Sequence, residues 1–148
     1  MALGKVELLV KRSLAVDRVW VFDVRDVSAA TRLRREVVAF LRGHARDTDD
    51  DASELILGEL LGNVVKHTPG YAEVSLACSE GENKLYVTDR GPGFTAARAA
   101  LPDNPLDEGG RGMFLVQALS RKVTVKPIPG GGTQVAVELP SRVSAVSA

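Results

Sequence analysis

Residues Glu54-Leu-Ile-Leu-Gly-Glu59-Leu-Leu-Gly-Asn63-Val-Val-Lys-His67 read as a helix with one apolar face. Leu57, Leu60, Leu61, Val64 and Val65 supply the stripe that faces a core. Glu59 and Asn63 interrupt that pattern one helical turn apart, on the same side. A carboxylate beside a carboxamide suits a base next to a metal ligand, and equally suits a surface pair on an ordinary helix. Gly58 and Gly62 lie inside the helix, each costing ~1 kcal/mol against alanine. Close approach by a ligand or by a neighbouring helix would each justify them.

Thr48 to Asp51 caps this helix, and Thr68-Pro69-Gly70 stops it. Asp49, Asp50 and Asp51 complement the positive end of the helix dipole. They lack the spaced ligands and terminal glutamate of a calcium loop.

Upstream, Val6–Val10 and Val19–Val24 read as short strands at a sheet edge, with Trp20 and Phe22 on one face. Asp26 or Ser28 can cap a helix running to about Arg46, with Leu33, Val37, Phe40, Leu41 and His44 at helical spacing. His44 is read as a partner of the helix C-terminus or a solvated residue rather than a ligand. Arg32, Arg34, Arg35 and Arg42 form the polar side, a solvated face or a docking surface for an acidic partner.

Downstream, Ala72–Cys78 and Lys84–Thr88 predict a β-hairpin with a five-residue loop, Ser79 to Asn83, and Cys78 as a small core residue. The second strand runs into Asp89-Arg-Gly91-Pro-Gly93-Phe94. A loop follows, Thr95 to Glu108. Gly109-Gly110-Arg111-Gly112 opens a short apolar helix, Met113–Leu119. Val123–Lys126 and Thr133–Leu139 are the last strands, joined through Pro129-Gly-Gly-Gly132. Pro140–Ala148 reads as a flexible tail.

The chain has 148 residues, 45% hydrophobic, which fits one domain with a sizeable core. Lys plus Arg equals Asp plus Glu at 19 each, which argues against a broad nucleic-acid footprint or a polybasic membrane surface. The single cysteine excludes an intrachain disulfide and a cysteine zinc site. No run approaches the ~20 apolar residues of a membrane helix. These features predict a cytoplasmic protein.

Four pieces then stand in order: Glu59 with Asn63, Asp89-x-Gly91-x-Gly93, Gly110-x-Gly112, and Gly132-Thr133. A carboxylate at a strand end can accept a hydrogen bond from the amino group of a base. Glycines let the backbone approach a flat ring or a phosphate. A glycine-rich turn opening a helix aims N–H groups at anions. Magnesium keeps waters and phosphate oxygens, so one carboxamide, Asn63, can suffice from the protein. Glu59 could then take a proton from a hydroxyl or water. A dinucleotide fingerprint fails because Pro102 and Pro105 break the required helix. No P-loop sequence, Ser-His-Asp arrangement or Glu-x-x-His pair is present.

In this order the pieces resemble the GHKL superfamily of gyrase-type, chaperone, histidine-kinase and mismatch-repair ATPase domains. Within it the chain is most similar to stand-alone anti-sigma factor serine kinases. Glu59-Leu-Leu-Gly-Asn63 resembles the N box, Asp89-Arg-Gly-Pro-Gly-Phe94 the first glycine box, Gly110-Arg-Gly-Met-Phe-Leu-Val116 the second, and Gly132-Thr133 the last. The likeness covers about Ser28 to Leu139.

The resemblance implies an α+β, two-layer α/β sandwich: a mixed, mostly antiparallel sheet with helices on one face. Residues 1–148 form one domain, with its core at about 28–139 and a tail at 140–148. ATP and Mg2+ are the implied ligands. Asp89 would bind the adenine amino group, with Thr133 assisting through water. Gly91 and Gly93 would line the adenine side, and Gly110 and Gly112 the phosphate side. Asn63 would ligate magnesium and Glu59 would be the general base. Lys66 and Arg111 are candidates for phosphate contacts, or solvated charges. His67 would pack near the site. Thr95–Glu108 would be a lid, with Arg98 its only cation.

The stretch before Ser28 is short and strand-like, unlike the helical phosphoacceptor segment of a sensor kinase. The expected activity is therefore transfer of the γ-phosphate of Mg-ATP to a serine or threonine of a small anti-sigma-factor antagonist protein. A sigma factor is a second expected partner, a homodimer is suggested by the resemblance, and no direct nucleic-acid or membrane partner is expected. The alternative is a nucleotide-gated module that sequesters a partner without kinase activity. A plain ATPase is a third reading.

Overall fold

The computed structural model describes residues 17–45, 47–68, 70–79, 82–89 and 111–142. Along the chain run β1 (Arg18–Asp23), α1 (Ala29–His44), α2 (Asp50–His67), β2 (Tyr71–Ser79), β3 (Glu82–Asp89), α3 (Arg111–Leu119), β4 (Lys122–Pro127) and β5 (Thr133–Glu138). The strands form one sheet in the order β1-β2-β3-β5-β4. Every pairing among the described strands is antiparallel, so the expected parallel component is not among them. The expected strand at Val6–Val10 lies outside the described residues.

Strand alternation decides which face meets the helices. Trp20 and Phe22 of β1 are buried while Val19 and Val21 are exposed. Their partners in β2 are Val74 and Ala72; further in, Val74 and Leu76 pair with Val87 and Leu85, which pair with Val135 and Val137, all buried. The three described helices cover this one face. α2 lies between α1 and α3 and packs on the sheet through β3.

That central position widens the buried arc of α2. Ile56 and Ser53 are buried along with Leu57, Leu60, Leu61 and Val64. Val65, expected in the apolar stripe, is 47% exposed, because it lies on the side of α2 away from the sheet. Gly58 faces α1: a Cβ there would lie 3.0 Å from Arg34 Nη1. The Arg34 guanidinium crosses the notch towards Glu54, 4.0 Å away. Of the two reasons for a glycine at 58, the neighbouring helix is thus the one seen.

Local chemistry sets the helix ends. Asp49 is the N-cap of α2, accepting from the Ala52 N–H at 3.1 Å. The Thr68 N–H closes the other end on the Val64 carbonyl. At α1 the N-cap residue is Ser28, whose side chain caps no helix N–H; Asp26 accepts from both its N–H and its hydroxyl. His44 Nδ1 lies 3.0 Å from the Phe40 carbonyl, with its ring stacked on Phe40, at the C-terminal end of α1.

Several boundaries differ from expectation. Ser79 pairs directly with Glu82, so the β2–β3 strands run past the expected five-residue loop. Tyr71 and Asp89, at the other end, also join the ladder. Pro140, Ser141 and Arg142, expected in a flexible tail, are bonded to the α1–α2 connection. The Asp49 N–H donates to the Pro140 carbonyl, the Arg142 N–H donates to the Asp47 carbonyl, and Thr48 bridges Ser141. Backbone groups at the mouth of a helix need partners, and this stretch supplies them.

Candidate nucleotide site

The site grows from the ends of two adjacent strands. Asp89 is the last residue of β3 and Thr133 the first of β5, and they are direct partners in the ladder. Alternation puts Asp89 on the same face as Leu85 and Val87, and Thr133 on that of Val135 and Val137. Both therefore point under α2, and both are buried. The glycine turn Gly130-Gly131-Gly132 precedes Thr133 with φ of 89°, 105° and 108°. Only glycine holds such a run without strain.

α2 forms the roof. Leu60, Asn63 and Val64 line one cleft together with Val87, Asp89, Thr133 and Val135. Its free volume is about 10 Å3, room for one water molecule, so a flat ring entering it has to move the lining side chains. A carboxylate among such apolar walls is a strong acceptor, because little water competes for it. The donor set fits an aminopurine: apolar surface for the ring, and Asp89 and Thr133 for its polar edge.

Glu59 lies one turn before Asn63 on α2, half-buried, and faces a different element. A Cβ on Gly112 would lie 2.6 Å from Glu59 Oε2. The Glu59 carboxylate is thus seated against the first turn of α3, whose N–H groups have no partners within the helix. This first turn holds no acidic residue of its own.

The predicted residues divide clearly. Asn63, Asp89 and Thr133 come together in the cleft, and Glu59 and Gly112 come together at the α2–α3 contact. Lys66 is exposed on the last turn of α2, and His67 beside it is half-buried. Arg111 opens α3. Gly91, Gly93, Gly110 and the expected lid, Thr95–Glu108, lie outside the described residues. The cleft walls Leu60, Val64, Val87 and Val135 were legible only as core; their signal is position, next to or two residues from a predicted polar contact.

An antiparallel sheet with helices on one face, and a polar-ended cleft beneath the middle helix, defines an ATPase domain of the GHKL type. The chain belongs to the histidine kinase-like ATPase domain family, whose model matches residues 24–139. It is similar to the serine-protein kinase RsbW of Staphylococcus aureus, at 27% identity over 62% of this chain and 67% of that one. Its fold is similar to the catalytic domain of histidine kinase ThkA, with a TM-score of 0.51 and 15% identity over 83% of this chain and 95% of that one. Histidine kinase AdeS of Acinetobacter baumannii matches with a TM-score of 0.48 and 16% identity, covering 95% of this chain and 75% of that one. Among the described residues no helix is long and apolar enough to cross a membrane.

Proposed function

We propose that this ATP-binding regulator is a protein serine/threonine kinase that moves the γ-phosphate of Mg-ATP to a small antagonist protein of an anti-sigma system. The observation that carries it is the placement of Glu59. It stands outside the Asn63–Asp89–Thr133 cleft, against the first turn of α3, where the phosphate end of a nucleotide seated in that cleft would meet a base. The similarity to RsbW, a serine-protein kinase by name, supports a protein acceptor.

In this reading Asp89 accepts a hydrogen bond from the adenine amino group, and Thr133 completes that edge. Leu60, Val64, Val87 and Val135 exclude water from the ring. Asn63 would hold magnesium through its amide oxygen, and the metal would supply positive charge against the phosphates. Glu59 takes the proton of the acceptor hydroxyl as its oxygen bonds to the γ-phosphorus; the bond to the β-phosphate oxygen breaks and ADP leaves. Most of the rate comes from positioning and electrostatics.

The test is incubation with γ-labelled Mg-ATP and the antagonist-like proteins of the same source, beside Glu59→Ala. A labelled acceptor with the wild type alone is expected. Nucleotide binding without any labelled acceptor would move the reading to the nucleotide-gated sequestering module.

A further inference from the structure

We propose that Gly112 is a positioning residue for the base: the missing side chain at 112 is the seat that fixes the Glu59 carboxylate. This rests on the kinase reading and assigns Gly112 a task beyond approach to phosphate. The geometry is specific. An added Cβ would lie 2.6 Å from Glu59 Oε2, 3.6 Å from its Cδ and 3.7 Å from its Cβ. The stem of Glu59 thus has ordinary contact room, and only the carboxylate oxygen occupies the vacant space. Of the other described helical glycines, Gly43 and Gly62 meet no described atom within 4 Å, and Gly58 meets Arg34 instead. The match between a vacancy and the end of a functional side chain belongs to Gly112.

The consequence of filling it is selective. The colliding atom is the end of a flexible side chain, so a methyl group displaces the carboxylate and leaves the backbone in place. Glu59 Oε2 has to retreat from 2.6 Å to an ordinary contact of at least 3.4 Å. A misplacement approaching 1 Å in a group that must meet a reacting atom costs up to ~100-fold in rate. Alanine also has the better helix propensity, so α3 itself is not weakened. The seat lies on α3 and the base on α2, so the α2–α3 packing sets the position of Glu59, with Gly112 at the point of contact.

Two measurements test this together. The first follows the Gly112 backbone amide by NMR in wild type and Glu59→Gln, without nucleotide; a clear shift of that resonance is expected. The second compares Gly112→Ala with wild type for nucleotide affinity and for kcat at saturating ATP. The expected outcome is affinity within a few-fold and kcat lower by roughly ten- to hundred-fold. In the Glu59→Asp background, whose carboxylate is one methylene shorter, Gly112→Ala should cost much less. An amide that ignores Glu59→Gln overturns the seat whether or not the protein is a kinase. Loss of affinity with kcat unchanged overturns it in favour of a phosphate contact alone. An intact amide response in a protein that transfers no phosphate overturns the kinase reading, and with it the role of the seat in transfer.

Discussion

Asp89 and Thr133 face each other across the β3–β5 ladder and turn their side chains under the same helix. Neither strand alone makes the proposed binding edge; the pair does, and Asn63 of α2 lines the same cleft. The expected consequence is that Asp89→Asn, which keeps the shape and removes the charge, weakens ATP binding by roughly ten- to hundred-fold, the loss expected for a hydrogen bond to a charged group. Titration calorimetry measures it, with circular dichroism confirming the fold. Thr133→Val should weaken binding less, since its hydroxyl acts only through the same edge.

Stability is expected to divide differently along α2. Leu57→Ala empties a fully buried position between helix and sheet, and should cost ~2–5 kcal/mol in urea unfolding. Asp49→Ala removes the N-cap bond to Ala52 and should cost ~1 kcal/mol. The larger loss at the smaller distance from Glu59 would show that packing, more than capping, holds the site helix.

Cys78 should be a poor nucleophile. Burial, and then the charges of Asp17 and Asp47, push its thiol from an ordinary 9.0 up to about 11. Iodoacetamide should therefore react slowly at pH 8, with a rate that rises to a midpoint near pH 11. Asp17→Asn should lower that midpoint. Since the folded value is raised, the stability tied to the protonated thiol is fully present below pH 9 and is lost as pH rises towards 11. A midpoint near 9 in the folded protein would contradict the burial described.

Much of this architecture was legible because its signals are local. The capping aspartate and the alternation of Val74 and Leu76 sit within a few residues of what they determine. The remainder depends on distant partners. Val65 has the same chemistry as Val64, and only the sheet under α2 separates the buried one from the exposed one. Pro140–Arg142 look like a polar end until the unpaired backbone before α2 is placed beside them. Likewise, Leu60 and Val135 read as plain core residues, and only the fold shows that their contact surface ends at Asp89. The contact of Glu59 with Gly112 joins residues from separate helices, so no spacing rule announces it.

The strand order has a consequence for how the molecule is made. β5 is the last of the described strands but lies inside the sheet, between β3 and β4. On a ribosome, Asp89 emerges long before Thr133, and β3 waits with one edge open until β5 arrives. The proposed nucleotide edge is complete only once β5 has joined β3. On the proposed reading, nucleotide capture thus reports that β5 is in place, and a nascent product that stops before Thr133 lacks the partner of Asp89.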